Sequence, residues 1–348
     1  MALTAQLVDI PSESFSEGPL IEFIESELRA VAWLTVDRVG DNVVARTDLG
    51  RVQRLILAGH TDTVPANGNA RARIEGDTLH GLGSTDMKGG LAVFFELART
   101  LDQPVHDVTY VFYAREEVAG AHSGLGELFE KAPDLVGGDV ALLGEPTQAA
   151  IEAGCQGTLR LKVQLDGERA HTARAWMGRN AIHRLGRILA VLDDYEARRP
   201  VLDGCQYHEG LQAVFVDGGV AGNVVPDSAT VTINHRFAPD RSAAQAEAHV
   251  RGLLAPHLDQ SDTVELTDAS AGASPSLTHP LLSTLIERND LEVRAKLGWT
   301  DVARFAEQGI PAANFGPGDA TIAHMAHEHV HRHEIESAHA ALVDLLSI

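Results

Sequence analysis

Apolar positions along the chain fall into two textures, and the change comes near residue 154. Before it, short unbroken apolar runs at 43–46, 55–58, 108–113 and 140–143 stand between turn residues. Such runs predict strands buried on both faces, as in a parallel sheet covered by helices. Helical spacing accompanies them at 4–8, ended by Pro11, at 18–31, with Ile21, Ile24, Leu28 and Val31 on one stripe, and at 88–101. Past residue 154 the pattern alternates. Residues 158–165 read apolar, polar, apolar, the signature of a half-exposed antiparallel strand. Helices at 180–192 and 242–254, the second with Ser242 as its N-cap, and alternating strands at 211–216, 229–234 and 263–266 complete a β-α-β-β-α-β order. That is the order of a ferredoxin-like sandwich. From about 275 the first texture returns, with helices at 280–290 and 301–308, a strand near 291–295 and a closing helix. The expected fold class is α/β: a mixed sheet flanked by helices, built from 1–154 and 268–348, with a discrete α+β module at 155–267 inserted into it. No internal repeat is visible.

Composition narrows the partners. The 348 residues include 49 acidic and 28 basic side chains, a formal net charge of −21. Nucleic acid and anionic membrane surfaces both need a basic footprint, so neither is an expected partner. No run approaches the ~20 apolar residues of a membrane span. Residues 1–6 show neither a basic nor a long apolar stretch, so no signal peptide is expected there. Only Cys155 and Cys205 occur, which suits a reducing compartment, and the expected location is the cytoplasm.

Three of the strands end at acids or histidine. The run 55–58 leads into Gly59-His60-Thr61-Asp62-Thr63-Val64-Pro65, 108–113 into Ala114-Arg115-Glu116-Glu117, and 140–143 into Gly144-Glu145-Pro146-Thr147. Strands of one parallel sheet would bring those ends together, where open α/β sheets keep their sites. His60 and Asp62, two apart, face the same way on extended chain, so one can ligate a metal while the other holds the ring. Asp86 follows the Gly-rich Gly81-Leu82-Gly83-Ser84-Thr85 and precedes a helix, available as a further ligand. Six histidines crowd 324–339; His324, first after Gly316-Pro317-Gly318, is the best candidate ligand, with His327 the competitor. The candidate ligands are thus His60, Asp86, Glu117, Glu145 and His324. Two imidazoles and three carboxylates suit zinc, with cobalt or manganese as substitutes. Five ligands are too many for one catalytic zinc, and fit two ions sharing a bridging carboxylate. Glu116 and Glu117 face different ways, so one can ligate while the other serves as general base. The reaction class is metal-assisted hydrolysis of an acyl bond, with Glu116 moving the proton from water to the leaving amine. Dinucleotide chemistry is disfavoured because Gly81-Leu82-Gly83-Ser84-Thr85-Asp86 lacks the third glycine of that fingerprint. A serine hydrolase is disfavoured because no Gly-Xaa-Ser-Xaa-Gly elbow occurs.

These motifs, in this order and over essentially the whole chain, resemble the dinuclear-zinc M20 metallopeptidase family. The resemblance implies a zinc-peptidase-like catalytic domain, two zinc ions per subunit, and an inserted lid that forms a homodimer. It implies that Asp86 bridges, that Glu117 and His324 complete one site, and that His60 and Glu145 complete the other. Asp62 would orient His60, Glu116 would be the base, and the Asp86–Met87 peptide would be cis. His171 would reach the partner's active site and hydrogen-bond the oxyanion. Arg236 would pair with a substrate carboxylate and Asn223 would donate to the substrate, with Arg174, Gly298 and Thr300 as weaker contacts. Further cues at 152–157, 169–176, 298–305 and 314–319 point to the branch that acts on small N-acyl amino acids, releasing succinate from N-succinyl-LL-2,6-diaminopimelate for lysine and cell-wall precursors. Acetylornithine deacetylase, aminoacylase and carboxypeptidase-like activities are the alternatives. One departure stands out: Cys155-Gln156 lies beside Gly157 where relatives often carry Arg, so a carboxylate contact would have to come from elsewhere, such as Arg174.

Overall fold

The computed structural model describes residues 1–347. The chain forms two compact units. The first takes Met1–Gly154, Pro275–Arg294 and the chain from Thr300 onward; the second takes Cys155–Ser274 and Ala295–Trp299. The second unit therefore runs past 267 and also includes a short later segment.

The first unit is built on a mixed sheet of eight strands: β1 (Thr35–Val39), β2 (Asn42–Arg46), β3 (Arg54–His60), β4 (Asp107–Tyr113), β5 (Val140–Leu143), β6 (Ile151–Ala153), β7 (Val293–Ala295) and β8 (Ala312–Asn314). Their order is β1-β2-β4-β3-β5-β8-β6-β7. β3 runs parallel to β4 and β5, and β8 parallel to β5. Every residue of β4 and β5 is buried, as two-sided coverage requires. The register pairs His60 with Tyr113 and Ala58 with Leu143, so three carboxyl ends finish side by side. The helix Lys88–Thr100 buries Leu91, Phe94, Phe95 and Ala98. Its first turn approaches β5 so closely that a Cβ on Gly90 would lie 2.0 Å from the Gly144 carbonyl oxygen. Only glycine fits there.

Two features depart from the sequence reading. Residues 124–131 form a helix that the periodicity did not reveal, capped by Ser123, whose hydroxyl accepts the Gly126 N–H at 3.2 Å. The histidine-rich tract is ordered into secondary structure: His329–His331 is a strand antiparallel to Thr78–His80, which pairs in turn with Arg73–Glu75, and His333 and His339 lie on the helix Arg332–Ser347. Among the described residues, no helix is long and apolar enough to cross a membrane.

The second unit is a four-stranded antiparallel sheet in the order Gly210–Gly218, Ser228–Phe237, Gly157–Asp166, Thr263–Ser270. Helices Ala181–Asp193 and Ala243–Leu254 cover one face, giving the ferredoxin-like order. Leu159, Leu161, Val163 and Leu165 enter the core with Leu185, Ile188, Val231, Ile233 and Val250, while Arg160, Lys162 and Gln164 face outward. The edge strand Gly210–Gly218 leaves Phe215 72% exposed, with Val214 and Val216 exposed beside it. A buried ion pair ties the helix Ala181–Asp193 to the loop before the strand Thr263–Ser270. Arg184 donates to both oxygens of Asp262, at 2.7 Å for Nη1, and Asp262 also accepts the N–H groups of Asp166 (2.9 Å) and Asp259 (2.7 Å). Burial opposes the charge, yet Arg184 and these N–H groups hold the Asp262 carboxyl at about 2. Because the folded pKa lies below the ordinary 3.8, the stabilisation is full above about pH 4 and fades as the pH falls toward 2. It amounts to about 2 kcal/mol. Asp262→Ala leaves Arg184 with the Asp259 carboxylate and the Asp166 carbonyl but takes the acceptor from the Asp166 and Asp259 N–H groups. It should destabilise by about 2–3 kcal/mol in urea unfolding at pH 7 and flatten the acid limb between pH 4 and 2. An unchanged midpoint would remove the pair from the account of this unit.

Candidate metal centre and active site

The converging ends of β3, β4 and β5 deliver His60, Glu116–Glu117 and Glu145 to one side of the sheet. The His60 ring is buried, with Nε2 3.1 Å from Asp86 Oδ1 and Nδ1 3.0 Å from the Asp62 carbonyl oxygen. Asp86 closes the Gly-rich loop just before the helix Lys88–Thr100, and the Asp86–Met87 peptide is cis. From the carboxy-terminal part of the chain, His324 places Nε2 2.7 Å from Glu117 Oε1 and 3.5 Å from Asp86 Oδ2. Arg115 and His324, non-glycine residues at this site, take left-handed backbone, with φ of 62° and 64°.

Three groups of donor atoms lie within 4.8 Å of one another: His60, Asp86 and Glu145; Asp86, Glu117 and His324; and His60, Glu116 and Glu117. The first two share Asp86. His327 is exposed and belongs to none of the three. Imidazole with carboxylate is a donor set that fits a divalent metal ion. The electrostatics point the same way. Burial pushes the Glu116 carboxyl well above its ordinary range, reinforced by Asp301, Glu145 and Glu117 against the opposing charge of His60. Hydrogen bonds to Asp86 and Glu117 push His324 up to about 10. Burial works against charge on His60, but Asp62 and Asp86 prevail and raise it well above its usual range. Carboxylates that raise two histidines and add to the rise of a glutamate make the site strongly negative, and a cation relieves that.

Asp62 does more than face the His60 ring, from which its Oδ1 stands 3.5 Å. Its Oδ1 accepts the Glu116 N–H at 2.9 Å, and its Oδ2 accepts the Glu117 N–H at 3.0 Å and the Ser14 hydroxyl at 2.8 Å. One carboxylate thereby fixes both glutamates through their backbone. Although burial opposes it, His60 and these donors hold Asp62 at about 2.

Glu328 was not legible as a site residue. It is buried, and its Oε1 accepts the N–H groups of Thr85 (3.0 Å) and Asp86 (3.1 Å). Beside the same loop, the buried Lys88 donates to the Ile10 carbonyl at 2.8 Å, and burial lowers its pKa to about 8 against the pull of Glu328. Asp301, buried next to Tyr113 and the acidic cluster, is a further residue of the site, signalled only by the stretch 298–305.

Of the expected substrate contacts, Thr300 is in the first unit, buried, its hydroxyl donating to Asn314 Oδ1 at 3.0 Å. The others belong to the second unit. There His171 pairs with Val224, and the Thr172 N–H donates to the Asn223 carbonyl at 3.0 Å, which brings His171 and Asn223 onto neighbouring strands. Nδ1 of His171 accepts the Ala173 N–H at 3.0 Å, so the neutral ring carries its proton on Nε2. His171, Arg174, Asn223 and Gly298 are exposed, and Arg236 is half-buried on the sheet face opposite the core.

Residues 56–347 match Peptidase family M20/M25/M40. The chain is 54% identical over 346 residues to a putative succinyl-diaminopimelate desuccinylase of Mycobacterium tuberculosis, covering 99% of this chain and 96% of the relative. It is 44% identical over 355 residues to succinyl-diaminopimelate desuccinylase of Corynebacterium glutamicum, covering 100% and 96%. The fold is also that of aminopeptidase PepT from Bacillus cereus, with a TM-score of 0.80 at 18% identity over 99% and 96% of the two chains. The sequence match spans most of the chain and the sheet brings the family's motifs together; this protein belongs to peptidase family M20/M25/M40.

Proposed function

We propose that the chain hydrolyses N-succinyl-LL-2,6-diaminopimelate to succinate and LL-2,6-diaminopimelate. The observation that carries this reading is likeness at 54% and 44% identity, over nearly the full length, to desuccinylases of that substrate. The donor groups support two zinc ions per subunit, with cobalt or manganese as substitutes. His60 and Glu145 would hold one ion and Glu117 and His324 the other, with Asp86 shared between them. When bound, the pair supplies a polarised amide carbonyl and a water of lowered pKa. Glu116 takes one proton from water as the new carbon–oxygen bond forms and returns it to the amine as the carbon–nitrogen bond breaks. It ends as it began. Asp62 holds Glu116 and Glu117 in place and steadies His60.

We assign the acyl and carboxylate contacts to His171, Asn223 and Arg236, with Arg174, Gly298 and Thr300 secondary. Nε2–H of His171 is a donor suited to an oxyanion, and a guanidinium fork at Arg236 suits a carboxylate. The exposed edge strand Gly210–Gly218, with Val214, Phe215 and Val216, supports a homodimer formed through the second unit. Cys155 and Cys205 are both reduced, with no disulfide between them, which supports a cytoplasmic location.

Steady-state hydrolysis by the zinc-loaded protein tests the substrate. We expect kcat/KM on the succinyl substrate to exceed that on N-acetylornithine or a glutamyl-terminated peptide by at least about a hundredfold, because a site built for a carboxylate penalises acyl groups that lack one. Equal or better rates on either competitor would discard the substrate and keep the hydrolytic site.

A further inference from the structure

Part of the histidine-rich tract gathers away from the donor groups of the active site. His329 lies directly across from His80 on antiparallel strands, and His331 follows two positions on, across from Thr78. Residues i and i+2 of a strand share a face, and Val330 between them is fully buried, so the two imidazoles stand together on the outer face of the small sheet. Ring centres are 5.3 Å apart for His80 and His329, and 5.1 Å for His329 and His331. Two imidazoles on one tetrahedral zinc, each nitrogen about 2.0–2.1 Å from the metal, have centres about 5 Å apart.

Two of the three rings are held through Nδ1. His329 Nδ1 donates to the His327 carbonyl at 2.9 Å, which leaves the Nε2 lone pair for a ligand. His331 Nδ1 pairs with the Thr78 hydroxyl at 3.1 Å. His80 Nε2 lies 3.6 Å from Glu75 Oε2, a carboxylate within reach as a fourth donor, and the nearby Arg73 is already paired with Glu75. Closing on an ion asks for rotation of these side chains at the sheet surface. None of the four belongs to the donor groups of the catalytic centre.

We propose that His80, His329 and His331 form a site for one divalent transition-metal ion of the kind imidazole prefers, zinc above all, additional to any metal in the active site. The test compares wild-type protein with a His80→Asn, His329→Asn double variant, both dialysed against the same free zinc and analysed for zinc per chain and for kcat. The variant should hold one zinc fewer per chain, with unchanged kcat and unchanged thermal unfolding in the metal-free state. Equal zinc content in the two proteins would overturn the proposal. So would a loss of zinc that tracks a loss of kcat, since the missing ion would then be catalytic. A His333→Asn variant serves as the control and should keep the extra ion. The reading depends on a difference between two proteins and not on total stoichiometry, so it stands or falls independently of the assigned substrate.

Discussion

Glu116→Gln should lower kcat by about a thousandfold, within the 10²–10⁴ span of a positioned general base, while leaving bound metal unchanged. The substitution keeps size and shape, and the backbone N–H that donates to Asp62 Oδ1 is untouched. What disappears is the capacity to accept a proton. The effect is large because Glu116 lies half-buried among Asp301, Glu145 and Glu117, and desolvation with their negative charge raises its carboxyl well above an ordinary one, toward the basicity that proton abstraction needs. Paired measurements of turnover and metal content decide the role. Glu116 also stands within the donor group of His60 and Glu117. If the glutamine variant loses an equivalent of metal along with activity, Glu116 is a ligand and the base lies elsewhere. If it retains wild-type turnover, Glu116 has no part in the chemistry.

Glu328→Ala should weaken metal binding by about ten- to a hundredfold and destabilise the fold by about 2–6 kcal/mol. The stability figure follows from leaving the buried Thr85 N–H and the part-buried Asp86 N–H without their acceptor, at about 1–3 kcal/mol each. The affinity figure follows from position: Asp86 is common to both donor groups, and Glu328 grips its backbone. Glu328→Gln keeps a carbonyl oxygen for the same N–H groups and should recover much of the lost affinity. It should not recover all, since the negative charge facing buried Lys88 is gone. Chelator competition and urea unfolding on the three proteins read these effects. An alanine variant with wild-type affinity and stability would show that the loop holds its shape without Glu328.

The architecture was legible where local pattern and final packing agree. The apolar runs before Gly59, Ala114 and Gly144 are strands because each is covered on both faces, and each run's end carries its acid or histidine to the same edge. Alternation from 158 to 165 survives as one face in the core and one in water. Periodicity failed where an element draws its stability from distant partners. The helix Gly124–Lys131 opens on Gly-Leu-Gly, which lowers its intrinsic propensity and hides it. The strand His329–His331 is three residues long, too short for any period, and exists because Thr78–His80 lies against it.

Residue order alone shows which side-chain types stand at the strand ends, and two imidazoles with three carboxylates suit a cation. Folding decided how those donors are held. Ser14, Asp62 and the Glu116–Glu117 backbone meet across some fifty residues of chain, and Glu328 meets the Asp86 loop across 242. Tertiary structure also separates the two histidines: His324 lies beside Glu117 and Asp86, while His327 is exposed and outside all three donor groups. The physical reason is common to all of them. A hydrogen bond to a backbone N–H leaves no trace in composition or spacing, because any residue can supply the N–H and only the closed fold brings the carboxylate to it.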